Sequence, residues 1–141
     1  MARVRLDIPE TLPFATEIRV RVTDLNYRGH VGGDTIVSLL HEARVQYLRA
    51  LGFEEHDCGG VGLILADAAV VYRSEAFAGE VLRVAVGAAD LTTRGFDVVF
   101  RVADKQTGRE VALAKTGMVC FDYEARQTVP IPSPVRAALE R

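Results

Sequence analysis

The sequence predicts an α+β fold in which an antiparallel sheet of five strands curls around one long helix. Three observations predict it: one segment alone shows a long helical period, five segments show strand patterns, and the later strands are joined by short links. Short links favour antiparallel neighbours. The long helix must then cover the apolar face of the sheet. Because one helix cannot cover the sheet fully, we also expect a homodimer.

The first strand is predicted over residues 16–23, where apolar and charged side chains alternate. The helix is predicted over residues 34–51, with Asp34 in its first turn or at its N-cap and Gly52 just past its end. Arg44 falls within the apolar stripe of this helix, so its charge needs a partner or must extend to solvent. Asp67, a carboxylate within the apolar run of residues 62–73, is a candidate partner.

The remaining elements are four strands and a short helix. The segment 62–73 is nearly all apolar, which predicts a central strand covered on both faces. Residues 104–109 are typical of a hairpin connection, and Ser133 followed by Pro134 predicts the start of a terminal helix. The other predicted strands are 80–88, 96–103 and 110–121.

Size and composition limit the kind of protein this is. The 141 residues suffice for one core, so we expect a single domain over residues 1–141. The 17 basic and 19 acidic residues give a net charge of −2, which argues against binding to nucleic acid. Charged residues interrupt the N-terminal segment, so we expect no signal peptide, no membrane insertion and a cytoplasmic protein. Cys58 and Cys120 are then expected to be free thiols.

The loop D-L-N-Y-R-G-H-V-G-G-D, residues 24–34, is the most informative for function. It places polar side chains beside a helix N-terminus, whose free N–H groups can hold an oxyanion. Its glycines allow a ligand to approach the backbone closely. An ordinary capped turn, with Asn26 as a turn residue and His30 exposed, is an equally good interpretation. The residues concerned are Asp24, Asn26, Gly29, His30, Gly32, Gly33 and Asp34.

No metal or other cofactor is expected. One imaginable set of ligands, His30 with Asp34 and His41, lacks the i, i+4 pairing of a helical zinc motif. The other set, His56 with its two following neighbours Asp57 and Cys58, consists of adjacent residues that cannot easily converge on one ion.

The loop and the helix together resemble the hotdog-fold acyl-CoA thioesterases of the hydroxybenzoyl-CoA thioesterase type. Members of that family typically contain D-x-D-x-x-G-H-V-N-N followed by a helix with E-A-R-x-x-[YF]-L. This chain has D-L-N-Y-R-G-H-V-G-G and then E-A-R-V-Q-Y-L. The segments Y-R-S-E-A-F-A-G-E-V-L and A-K-T-G-M-V-C-F-D also resemble strands of the family, so the likeness covers residues 19–132.

The resemblance implies a hotdog fold, a thioester substrate carried by coenzyme A or by an acyl-carrier protein, and dimers or dimers of dimers whose sheets join edge to edge. It also implies that the acyl group enters between helix and sheet near the dimer interface. Tyr27, Val31 and Phe77 are candidate walls of that pocket, and ordinary core packing is an equally good interpretation of them. Gly29, Gly32 and Gly33 are candidate contacts with the substrate.

The sequence departs from the family at one position. Asn26 stands where the family has its usual catalytic carboxylate, and an amide cannot serve as a general base. Asn26 can still orient a water molecule or bond the thioester oxygen. The base is then expected to be His30, with Asp24 and Asp34 as the other candidates.

Three functions are compatible with the sequence. The first is hydrolysis, in which a water molecule held by Asn26 and polarised by His30 attacks the thioester. The second is a module that binds acyl-CoA without cleaving it, which the amide at position 26 motivates. The third is a dehydratase of hydroxyacyl thioesters, against which the E-A-R-x-x-Y-L helix counts.

Overall fold

The computed structural model describes all 141 residues and consists of one antiparallel sheet, one long helix and one short helix. Neither helix has both the length and the apolar character needed to span a membrane. In chain order the elements are β1 (Phe14–Arg19), α1 (Gly33–Ala50), β2 (Gly62–Tyr72), β3 (Val81–Ala89), β4 (Gly95–Asp104), β5 (Glu110–Asp122), β6 (Gln127–Thr128) and α2 (Ser133–Leu139).

The strand order across the sheet is β1-β3-β4-β5-β2, with the two-residue β6 paired to the end of β5. All neighbours are antiparallel. The main core brings together buried residues of α1 and of the sheet, among them Leu40, Leu48, Val84 and Phe100. The predicted α+β architecture, a sheet around one long helix, is therefore confirmed.

Helix α1 begins after Gly32 and ends before Gly52, one residue earlier at each end than predicted. Gly52 has a φ of +94°, which is the left-handed conformation that a residue just past a helix favours. The residues Ser133 and Pro134 predict an N-cap followed by the first helical residue, but α2 begins one residue earlier, with Pro132 as the N-cap and Ser133 inside the helix.

Strand β1 stops earlier than the alternating pattern predicts. The chain leaves the sheet after Arg19 and forms a 3₁₀ turn over Val22–Asp24. The buried carboxylate of Asp24 accepts the backbone N–H of Arg21 at 2.8 Å and so closes this turn. The alternation over residues 16–23 places Val22 on the apolar side with Ile18 and Val20, but the turn leaves Val22 exposed.

The prediction that residues 62–73 form a central strand is wrong, because β2 lies at an edge of the sheet. It pairs only with β5, and residues 65–68 are exposed. A register shift between Leu65 and Asp67 marks a bulge in this edge strand. The apolar run therefore predicted neither the exposure of residues 65–68 nor the number of strands that flank β2.

The outer face of the sheet is partly covered by the segment before β1. Ile8 is buried there against Val99 and Leu113. Arg101 fixes the segment, since its guanidinium donates to the backbone carbonyl of Pro9 at 2.7 Å. The N-terminal residues therefore form a second, smaller apolar cluster on the side of the sheet opposite α1.

Candidate active site

A cleft of about 500 Å³ lies between the first turn of α1 and the end of β2. The loop before α1 forms one wall, and the segment that follows β2 forms the other. Ten residues line it: His30, Val31, Gly33, Ile36, Tyr72, Arg73, Ser74, Glu75, Ala76 and Val111. The cleft therefore combines apolar side chains with one imidazole, one carboxylate and one guanidinium.

His30 is half-buried in this cleft, and its side chain is 27% exposed. Its Nδ1 lies 3.1 Å from the carbonyl oxygen of Val31. A carbonyl can only accept a hydrogen bond, so Nδ1 carries the proton and Nε2 of the neutral ring has a free lone pair. Nε2 lies 3.8 Å from Oε2 of Glu75. The imidazole is thus held in the tautomer that a general base requires.

The N-terminus of α1 opens onto the same cleft. Gly33 is exposed at the wall, and the first N–H groups of a helix have no partner within it. The hydroxyl of Tyr72 donates to the Gly33 carbonyl at 2.8 Å and so ties the end of β2 to the first turn of α1. Burial raises the pKa of Tyr72, and the nearby carboxylate of Asp34 raises it further. Tyr72 therefore stays a neutral donor at neutral pH.

Asn26 takes part in the turn rather than in the wall of the cleft. Its side-chain Oδ1 accepts a hydrogen bond from the backbone N–H of Arg28 at 2.9 Å. The backbone N–H of Asn26 donates to the carbonyl of His30, also at 2.9 Å. This is the turn that the sequence offered as the alternative interpretation for Asn26. That interpretation also had His30 exposed, whereas the structure places the imidazole in the cleft.

The structure brings only some of the other predicted residues to the cleft. Val31 and Gly33 line it, and Gly32 is buried as the N-cap of α1. The remaining predicted residues are absent from its lining. Asp24 is buried in its turn, while Asp34, Tyr27, Gly29 and Phe77 are exposed.

The residues that sequence reasoning missed are Tyr72, Arg73, Ser74 and Glu75. They form the polar run Y-R-S-E directly after the apolar segment of β2. The change from apolar to polar residues marks the end of the strand. Polar side chains at such a point could have been predicted to lie at the edge of a site. Its position opposite His30 depends on the tertiary fold.

Arg44 is paired with Glu55, and the prediction of Asp67 as its partner is wrong. The Nε of Arg44 lies 2.6 Å from Oε1 of Glu55, and its Nη1 lies 3.3 Å from the hydroxyl of Thr116. Asp67 instead accepts a hydrogen bond from Lys115 at 2.7 Å, which lowers the pKa of the Asp67 carboxyl. The two ion pairs lie on opposite faces of the sheet, because Arg44 bonds Thr116 while Asp67 bonds Lys115, and successive residues of a strand point to opposite faces.

The two cysteines are buried and free. Burial raises the pKa of the Cys58 thiol to about 12, and burial also raises that of Cys120. Both thiols are therefore protonated at neutral pH, and a protonated thiol is a poor nucleophile. Neither cysteine is therefore a candidate nucleophile.

Comparison with known proteins connects this geometry to an enzyme family. A family model described as the thioesterase-like superfamily matches residues 20–139. A 1,4-dihydroxy-2-naphthoyl-CoA hydrolase of Thermosynechococcus vestitus is 29% identical over 124 residues, which are 86% of this chain and 84% of the relative.

Solved structures show the same fold. A 1,4-dihydroxy-2-naphthoyl-CoA thioesterase from Synechocystis superposes with a TM-score of 0.83 at 22% identity, covering 89% of this chain and 94% of its own. A hypothetical protein from Aquifex aeolicus superposes with a TM-score of 0.82 at 25% identity, covering 90% and 99%.

Proposed function

Because this chain belongs to the thioesterase-like superfamily, we propose that it hydrolyses acyl-CoA thioesters in the cleft beside the first turn of α1. The family resemblance carried by the loop and the helix is confirmed by the match over residues 20–139. One observation supports this location above the others. His30 and Gly33, the first residue of α1, line the same cleft, and the N–H groups of a first helical turn have no partner within the helix.

The proposed reaction needs a base, an oxyanion site and a proton donor for the leaving thiol. His30 Nε2 takes a proton from a water molecule whose oxygen attacks the thioester carbonyl carbon. The backbone N–H of Gly33, which lines the cleft at the start of α1, stabilises the oxyanion. The C–S bond then breaks, and His30 returns the proton to the sulfur. Asn26 supports this arrangement by holding the loop through the carbonyl of His30.

We propose a compact, aromatic acyl group as the substrate class. Val31, Ile36, Ala76 and Val111 give the cleft an apolar side that suits a planar ring. The curated relatives with 29% identity are named as hydrolases of 1,4-dihydroxy-2-naphthoyl-CoA, which has an aromatic acyl group. Coenzyme A is the proposed carrier for the same reason, and a reaction in the cytoplasm remains a prediction.

Thiol release from a panel of substrates tests the function. We expect turnover of benzoyl-CoA and naphthoyl-CoA with a kcat/KM at least about tenfold above that of palmitoyl-CoA. A preference for palmitoyl-CoA would contradict the proposed substrate class. Measurable binding of every acyl-CoA without thiol release from any of them would contradict hydrolysis and establish a binding module instead.

We further propose that a second copy of the chain pairs with the exposed edge of β2. An edge strand of 11 residues leaves a row of unpaired backbone groups, and Leu65 on it is 52% exposed. Natural proteins seldom leave such a long apolar edge uncovered, because it pairs readily with other strands. An antiparallel pairing of the two edges would give a dimer with one continuous sheet.

The Leu65→Lys variant is expected to shift the protein from dimer to monomer, because it places a charge in the proposed interface. Sedimentation velocity at several concentrations measures the change. Val22→Lys is the matched control, since Val22 is 76% exposed and lies outside the sheet. An unchanged dimer in the Leu65 variant, or a monomeric parent protein, would refute pairing through β2.

A further inference from the structure

We propose that Glu75 is the partner of His30 in hydrolysis, and that its carboxylate stabilises the imidazolium formed when His30 takes the proton of the attacking water. Glu75 acts through His30, so it is a positioning residue. This inference rests on the proposed function and adds to it a residue from the opposite wall of the cleft.

The distance between the two side chains supports the pairing. Oε2 of Glu75 lies 3.8 Å from Nε2 of His30, which is the ring nitrogen left without a proton by the bond from Nδ1 to Val31. At this separation an ion pair forms as soon as the ring is protonated. While the ring is neutral, Nε2 and the carboxylate are both acceptors, so no hydrogen bond joins them until the ring takes up a proton.

The composition of the cleft makes Glu75 the one candidate for this role. Of the ten lining residues, Glu75 alone carries a carboxylate. Asp24 is committed to its own turn, and Asn26 has no negative charge. An imidazolium formed in the cleft therefore finds its counter-ion only on the segment after β2.

The backbone around Glu75 is held on both sides, which fixes the point from which its side chain extends toward His30. The guanidinium of Arg109 donates to the carbonyl of Glu75 at 3.0 Å. The N–H of Val31 donates to the carbonyl of Ala76 at 2.9 Å and joins this segment directly to the loop that carries His30. The N–H of Ser74 donates to the carbonyl of Val111 at 3.3 Å.

The proton balance is the same as without Glu75. One water O–H bond breaks, the new C–O bond forms, and the proton passes to Nε2 of His30. The C–S bond then breaks and the sulfur takes that proton, while Glu75 remains a carboxylate throughout. Its negative charge is most useful in the transition state, when the ring is becoming positive, so its removal should lower kcat more than it changes KM.

The Glu75→Gln variant tests the role, since it keeps the shape and removes the charge. We expect kcat to fall about tenfold with KM within about twofold of the parent value. Glu75→Asp keeps the charge and should recover most of the lost kcat, which a purely structural role would not predict. Glu140→Gln is the matched control, because Glu140 is 58% exposed and ion-paired, and Glu75 is 61% exposed.

NMR of the His30 imidazole adds a measurement that does not depend on activity. Its resonances are expected to change in Glu75→Gln and to stay unchanged in Glu140→Gln at the same pH. If the parent enzyme and Glu75→Gln hydrolyse acyl-CoA with the same kcat, Glu75 has no role in the reaction, while the proposed function still holds. A parent protein without hydrolysis would overturn the proposed function, and the NMR comparison would still decide whether the two side chains interact.

Discussion

Replacing His30 by alanine is expected to lower kcat on the best acyl-CoA substrate by about a hundredfold or more. The variant removes the only imidazole of the cleft and with it the Nε2 that faces the proposed water. The backbone of the loop keeps its bonds, because the carbonyl of His30 still accepts the N–H of Asn26. Thiol release under saturating substrate, together with thermal unfolding to verify the fold, measures the effect.

His56→Ala is the control for this prediction. His56 is an exposed histidine in the loop between α1 and β2, and it does not line the cleft. Its replacement should leave kcat within about twofold of the parent value. Equal kcat values for the parent and for His30→Ala would remove His30 from the mechanism, and the base would then have to be sought elsewhere.

Removing the partner of Arg44 is expected to have the largest effect on stability. Glu55→Ala leaves a guanidinium that is 7% exposed without its carboxylate, and a buried charge without a partner is expensive. Glu55 also bonds His41 at 3.2 Å, so the variant loses a second contact between α1 and the loop that follows it. We expect the free energy of unfolding to fall by about 3 kcal/mol, measured by urea denaturation.

The neighbouring pair gives the control. Arg49 and Glu54 join the same helix to the same loop, but their side chains are 61% and 38% exposed. Glu54→Ala should therefore lower the free energy of unfolding by no more than about 0.5 kcal/mol. Equal losses in the two variants would show that the burial of Arg44 does not determine the cost. If Glu55→Ala does not fold, Glu55→Gln, which keeps an acceptor for Arg44, should fold and be destabilised less.

Local patterns in the sequence predicted most of the fold. The apolar period before Gly52 predicted α1 to within one residue, because the helical repeat determines which side chains share a face. The hairpin at residues 104–109 was predicted equally well, since β4 ends at Asp104 and β5 begins at Glu110. The loop before α1 also identified His30, because glycines and polar residues before a helix indicate an accessible N-terminus.

The edge position of β2, the partner of Arg44 and the opposite wall of the cleft were decided by the tertiary structure alone. Glu75 is distant from His30 in sequence, and it faces the imidazole because the end of β2 crosses beside the first turn of α1. The spacing of apolar residues along the sequence predicts whether a side chain faces the core. This spacing does not predict the order of the strands in the sheet, because that order depends on how the whole sheet packs around the helix.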